Sequence, residues 1–395
     1  MAEPARRILF ASDSIEPNRG GSTVVNARLL SKVGTDLDLT IATTQSLAEG
    51  TTFAGRPVVG LGGNWSASRW LPGRVRVRLL GRSLSEAVRR YRALFRRYRP
   101  DLVVAQFPLS MGFAAGILAA EEEGIRWGGW LHDMLVESRP EGWERETAER
   151  VWKRIEPGRN FAVLSDAMAE EYRARHRVDP PVINHIVGDL PDSRPAGNPN
   201  EILFCGGIYR INLESMKRLA RIVSRRPGWR LTILTQTPAP VLERNGISGP
   251  SIRIDYRLGD EAFREALGRA AVLFSGLDFH REGMGVDREE IRSILPTKLT
   301  DYCCYARPIL AWCPSDYNLA RLLRESGAGM VVDQDSDDAL EAALASLLDD
   351  PEVHAEWSER AARLRPRFSA ERAVGVFREC VGRWLEGRAT AEVVS

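Results

Sequence analysis

The chain runs through the same structural passage twice. Residues 6–12, RRILFAS, form an apolar run of strand length, and after a loop Gly20-Gly21-Ser22 leads into a helical stretch ending near Leu30. Residues 201–205, EILFC, restart the pattern. Gly206-Gly207-Ile208-Tyr209-Arg210 is the exit loop there, and Asn212 begins a helix that reaches Arg225. Short runs that are apolar on both faces suit parallel strands, and parallel strands need helical crossovers between them. Glycines between such a strand and its helix leave backbone N–H groups open to a ligand. Each half is therefore confined to a doubly wound α/β architecture.

The rest of the chain keeps this alternation. In the first half, strands are expected at 38–43, 58–61, 102–106, 127–131 and 161–165, with PPVIN (180–184) as a last short strand. The helix at 83–99 carries a capping-box pattern in Ser83 and Glu86. Its apolar stripe is Leu84, Val88, Tyr91, Phe95 and Tyr98, and Arg89, Arg92, Arg96 and Arg99 form the opposite face, which this reading leaves free. In the second half, strands are expected at 231–235, 252–256, 271–275, 309–312 and 327–332. PDSRPAGNPN (191–200) is rich in Pro, Gly, Ser and Asn and reads as a linker. The 395 residues suffice for two domains. The expectation is two facing, doubly wound (Rossmann-like) α/β domains, 1–190 and 201–367, followed by an amphipathic helix at 368–388 and a disordered tail.

Composition narrows the function classes. No apolar run approaches the ~18 residues of a membrane span, and MAEPARRILFASD lacks a signal peptide's apolar stretch. The five cysteines show no CxxC spacing, which argues against a zinc site and suits a reducing cytoplasm. No GxGxxG or GxxxxGK[ST] is present, so dinucleotide and P-loop readings are weak. The three Asp-x-Asp pairs, Asp36/Asp38, Asp333/Asp335 and Asp335/Asp337, read as incidental. The net charge is only +2, yet eleven arginines and one acidic residue, Glu86, fall between Arg69 and Arg99. With Trp65, Trp70 and Leu71 nearby and no nucleic-acid motif, that run suggests an anionic membrane surface, hence peripheral association at the inner face of the cell membrane. A solvated basic surface is the plainer alternative.

RSILPTKLTDYCCYARPILAWCP (292–314) concentrates the chemistry. Pro296 and Thr297 can start a helix over 298–305, with Thr297 as its N-cap. Arg307-Pro308 stops it, and residues 309–312 form a buried strand. Ligands of open parallel sheets sit at such strand exits, so Arg292, Ser293, Thr297 and Lys298 stand where a phosphate would be held. Asp301, one turn on, is placed to accept ribose hydroxyls. The plainer reading makes Lys298 and Asp301 an i,i+3 surface pair.

PTKLTDYCCYARPIL resembles the donor-site segment of GT-B glycosyltransferases of the large retaining family four. That segment runs Pro-x-Lys, an acidic residue and an aromatic, a short helix, a Gly-x-Pro-like turn and a strand. Ser293 stands where that family often has a sugar-contacting Glu, and the Glu282/Glu290 pair lies too early to align. The resemblance implies a UDP- or GDP-linked sugar as co-substrate, with no other cofactor and no metal. It implies a glycan or lipid-linked acceptor, as in bacterial surface polysaccharide synthesis, and no nucleic-acid partner. Gly206, Gly207, Arg210, Arg292, Ser293, Thr297 and Lys298 would hold the diphosphate, and Asp301 the ribose. Gly20-Gly21 would be the acceptor-side loop, His132 would face the donor sugar, and the last helix would cross back to the first domain. With retention the leaving phosphate takes the acceptor proton; with inversion, Asp13 or Asp133 is best placed as base. A sugar-nucleotide epimerase or phosphorylase, or a non-catalytic binder, are the alternatives on this fold.

Overall fold

The structure, a computed structural model, describes residues 6–15, 20–63, 73–108, 110–139, 142–191, 197–256 and 260–394. Arg69, Trp65, Trp70, Leu71 and residues 192–196 of the expected linker lie outside the described residues. The chain divides into two units. Unit 1 comprises Met1–Ile186 and Ala370–Ser395, and unit 2 comprises Val187–Ser369.

Unit 1 holds β1 (Arg7–Ala11), α1 (Gly21–Lys32), β2 (Asp38–Thr43), β3 (Thr52–Phe53), β4 (Arg56–Gly60), α2 (Gly73–Tyr98), β5 (Leu102–Phe107), α3 (Ser110–Glu122), β6 (Arg126–Leu131), α4 (Trp143–Gly158), β7 (Phe161–Val163), α5 (Asp166–His176) and β8 (Val178–Asp179). Its sheet order is β3-β4-β2-β1-β5-β6-β7, parallel except for the β3–β4 pair. Order reverses between β1 and β5, the usual crevice for a ligand in a doubly wound sheet. Every residue of β5 is buried, Gln106 included, whose Oε1 accepts from Ser12 Oγ at 2.6 Å.

Unit 2 holds β9 (Glu201–Cys205), α6 (Leu213–Arg225), β10 (Arg230–Thr235), α7 (Ala239–Arg244), β11 (Ile252–Tyr256), α8 (Asp260–Arg269), β12 (Val272–Gly276), α9 (Arg288–Ser293), α10 (Leu299–Tyr302), β13 (Ile309–Trp312), α11 (Asn318–Ser326), β14 (Met330–Val332), α12 (Asp337–Asp349), α13 (Pro351–Arg360) and a 3-10 stretch, Ala361–Phe368. Its parallel sheet, β11-β10-β9-β12-β13-β14, reverses between β9 and β12. The helix α14 (Ala370–Leu385) belongs to unit 1, where it packs against β5, β6 and α1. Gly128 in β6 makes this possible, because a Cβ there would lie 2.1 Å from the Trp384 ring. Trp384 is buried, and its indole N–H donates to Thr390 Oγ1 at 3.1 Å.

Several local expectations need correction. The helix α2 starts at Gly73, so Ser83 lies mid-helix and is no cap; buried Leu80, one turn before Leu84, extends the apolar stripe backward. Residues 180–184 contribute one isolated bridge, Val163–Val182, because Pro180 and Pro181 have no N–H for a ladder. The tail after Arg388 is ordered: Thr390 and Ala391 donate to Arg159 O, and β15 (Glu392–Val393) pairs antiparallel with β8. The segment at 298–305 is helical only as α10, and Thr297 is not its N-cap. Arg365 donates to the Cys303 and Cys304 carbonyls at 2.8 and 3.0 Å, which satisfies acceptors that would otherwise continue the helix.

Candidate functional site

The exit of β9 in unit 2 is where the sequence-derived residues converge. Gly206 has φ +128, a backbone that favours glycine, and the position its Cβ would take lies 3.8 Å from Lys298 Cε and Nζ. The Lys298 side chain crosses to this loop from the start of α10. Its Nζ stands 3.7 Å from the centroid of the Phe204 ring. Among the described residues the ammonium has no hydrogen-bond or ion-pair partner, although it carries three donors. Burial pushes its pKa down to about 7. The Cys205 thiol beside it is pushed up to about 12 by burial, a rise that Lys298 opposes and the Asp301 charge reinforces. Lys298, Gly206, Cys205 and Asp301 therefore form one electrostatic neighbourhood at the β9/β12 crevice. Buried Tyr302 fixes its floor: its hydroxyl accepts from Cys205 N and donates to Phe274 O, each at 3.1 Å.

The remaining expected residues divide. Gly207 and Arg210 are exposed on the same loop. Arg292 lies half-buried in α9. The buried Ser293 hydroxyl is turned back to Glu290 O at 3.1 Å, and the Thr297 carbonyl accepts from Thr300 Oγ1 at 2.7 Å. Sequence reasoning missed Asp278. Its buried carboxylate accepts from Glu214 N at 2.8 Å and Ser215 N at 2.7 Å, in the first turn of α6. Burial raises the pKa of this carboxyl, and the two backbone donors oppose that rise. Two first-turn amides of α6 are thus satisfied from within, and in the donor reading the anion-binding work at this crevice falls to side chains and the glycine loop. An Asp two residues past the end of an apolar strand was the only sequence signal.

In unit 1, Asp13 leaves β1 directly into the β1/β5 crevice. Its carboxylate accepts from Thr43 Oγ1, Thr44 N, Thr44 Oγ1 and Gly112 N at 2.7–2.9 Å. Three of these donors reach Oδ1 and one reaches Oδ2, so the carboxylate ties β2 and α3 to β1. His132 ends β6 and is buried. Neither ring nitrogen has a hydrogen-bond partner among the described residues, and the ring packs edge-on against Trp130 at 4.2 Å. Burial, with nearby His185 adding to it, holds the His132 pKa well below the usual imidazole value. Asp133 is about one-third exposed, 3.8 Å from Arg139. Burial raises its pKa and Arg139 opposes that. Gly20 and Gly21 are exposed at the start of α1, where Gly20 has φ −73 and a Cβ would meet nothing within 4 Å. Nothing steric at Gly20 requires glycine.

The arginine face of α2 is not free. Arg89 and Arg90 pair with Glu86, Arg92 with Glu122 and Glu123 at 2.9 and 2.6 Å, and Arg96 with Glu123 at 2.8 Å. These hydrogen bonds hold the Glu123 carboxyl down to about 2. Arg78, Arg82, Arg97 and Arg99 are exposed without an ion-pair partner among the described residues. Asp36, Asp333, Asp335 and Asp337 are likewise spent in ion pairs with Arg378, Arg324, Arg218 and Arg221. The described residues contain no group of three or more potential metal ligands, and no helix long and apolar enough to cross a membrane.

No protein-family model and no curated protein matches the chain. Solved structures do. Sucrose-phosphate synthase from Thermosynechococcus elongatus superposes with TM-score 0.67 at 12% identity, over 96% of this chain and 99% of that one. The lipopolysaccharide outer core galactosyltransferase WaaB gives 0.62 at 13% identity, over 95% and 99%. A protein from Listeria monocytogenes, provisionally described as a UDP-N-acetylglucosamine 2-epimerase, gives 0.58 at 12% identity over 97% of both chains. Two Rossmann-like units matched over nearly the full length of these enzymes give the chain the GT-B fold of glycosyltransferases.

Proposed function

We propose that the protein transfers a sugar from a nucleotide donor to a hydroxyl of a glycan or lipid-linked acceptor. The observation that carries this reading is Lys298, a buried ammonium over the Phe204 ring with no hydrogen-bond or ion-pair partner among the described residues, beside a glycine loop that a diphosphate can approach. In this reading Lys298, Arg210 and Arg292 bind the diphosphate over Gly206 and Gly207, and Asp301 receives the ribose. Negative charge develops on the departing diphosphate, and fixed cations stabilise it without reorganisation.

Retention fits best with the leaving diphosphate oxygen taking the acceptor proton as the anomeric C–O bond breaks and the new C–O bond forms. We assign His132, whose neutral ring nitrogens have no hydrogen-bond partner among the described residues, to a sugar hydroxyl. Asp133 is the base should the enzyme invert, since the Asp13 carboxylate braces β2 and α3. Arg78, Arg82 and Arg97 on α2 and Arg99 just past its end, without ion-pair partners among the described residues, support contact with an anionic lipid surface, each contributing about 1 kcal/mol at low salt. Co-sedimentation with anionic vesicles at low and high salt tests this; wild type left in the supernatant at low salt sinks it.

The central test is incubation with UDP- and GDP-linked sugars and product analysis. Transfer or slow hydrolysis supports the proposal. A C2-epimerised sugar nucleotide would favour the second reading, suggested by the structural match to the provisional epimerase. No binding of UDP or GDP by calorimetry refutes both.

A further inference from the structure

Among the described residues, few large apolar or aromatic side chains are left exposed, and Tyr209, 54% exposed, is the one on the β9 exit loop. Its exposure does not come from a loose loop. Tyr209 N donates to Asn212 Oδ1 at 2.9 Å, Asn212 Nδ2 donates to Gly207 O at 2.9 Å, and Ile208 N donates to Thr237 Oγ1 at 2.8 Å. The Tyr209 ring lies against the bare backbone of Gly207, where a Cβ would stand 3.6 Å from Cδ1 and 3.8 Å from Cε1. On the adjacent glycine, Gly206, Lys298 stands at the matching distance of 3.8 Å. A cation and an aromatic face thus flank two consecutive glycines, both held on a braced loop at the ligand-binding end of the sheet.

We propose that Tyr209 is a specificity-determining residue, an aromatic wall on which the sugar ring of the nucleotide donor stacks. The inference rests on the donor reading above. If the diphosphate sits over Gly206 at Lys298 and the ribose on the Asp301 side, the group beyond the diphosphate on the loop side is the transferred sugar. Pyranose C–H faces pack on aromatic rings, and a tyrosine supplies a broad apolar face with a polar tip.

The test is calorimetric titration of wild type, Tyr209→Ala, Tyr209→Phe and Lys298→Ala with UDP, UDP-glucose, GDP and GDP-mannose. Tyr209→Ala is expected to weaken the better-binding sugar nucleotide about five- to tenfold while leaving its parent nucleoside diphosphate within about twofold. Tyr209→Phe, which keeps the face, should restore the sugar nucleotide. Equal weakening of parent and sugar nucleotide by Tyr209→Ala overturns the proposal, because the ring would then serve the nucleoside. No effect on either probe overturns it as well. The donor reading fails separately: wild type would bind none of the four probes, or Lys298→Ala would bind UDP and GDP as wild type does.

Discussion

Lys298 makes donor binding a function of pH in a predictable direction. Its ammonium is held at a pKa of about 7 by burial in the free protein. A bound diphosphate favours the charged form, so binding above that pH takes up a proton. The observed association constant then scales with the protonated fraction: about nine-tenths at pH 6, one-half at pH 7 and one-hundredth at pH 9. Affinity for a nucleotide sugar should therefore fall about ninetyfold between pH 6 and pH 9, or about 2.7 kcal/mol. A nucleotide sugar is the right probe, because its esterified diphosphate does not titrate in this range. Calorimetry in two buffers of different ionisation enthalpy should show uptake of about one proton near pH 8.5. Lys298→Arg, which stays charged, should bind with little pH dependence. An association constant constant within about threefold over the range, or the same fall in Lys298→Arg, would refute the reasoning.

Other outcomes follow from single contacts. Asp278→Ala removes the carboxylate that accepts Glu214 N and Ser215 N, and should lower stability by about 2–3 kcal/mol in urea titration; an unchanged midpoint would refute its capping role. Gly128→Ala puts a methyl group 2.1 Å from the Trp384 ring and should cost about 1–3 kcal/mol, much of it recovered when Trp384→Leu is added. Glu123 has a folded pKa below its unfolded one, so its contribution is present above about pH 4.5 and is lost as pH falls toward 2. Arg92→Ala with Arg96→Ala should flatten the acid limb of the thermal-midpoint profile, and an unaltered limb would show that the pairs are idle. Asp301→Asn should weaken nucleoside diphosphate binding and leave inorganic pyrophosphate binding as it was; equal losses would remove Asp301 from the ribose.

The fold was legible because parallel strands announce themselves. LVVA, ILFC and ILAW are apolar without interruption, and each strand is followed by a turn and a helix. The beginning of α2 was not legible, since residues 73–81 alternate Arg with Val and Leu and no cap marks the start. Pairing of that helix's arginines was hidden for another reason: Glu122 and Glu123 lie about two dozen residues or more away in sequence and meet Arg92 and Arg96 only because α3 packs beside α2. At the site, Lys298 and Gly206 could be named from strand exits. Asp278 could not, because its role is defined by amides of a helix more than sixty residues earlier. Asp13 was visible as a carboxylate at a strand end, but its four donors come from β2, the loop after it and the start of α3.

Gly128 and Trp384 also set an order of events during synthesis. Unit 2 lies wholly between Val187 and Ser369, so it can fold as soon as residue 369 clears the ribosome. Unit 1 cannot finish then, although most of it has been made earlier. Until residues 370–394 emerge, the face of β6 at Gly128 is bare, and the edge of β8 has no partner. The nascent protein should carry a closed second unit while the α14-binding face of its first unit remains exposed. Its early-made half is therefore the one that most needs a chaperone, and a ribosome stalled just short of α14 would present that half as a target for degradation.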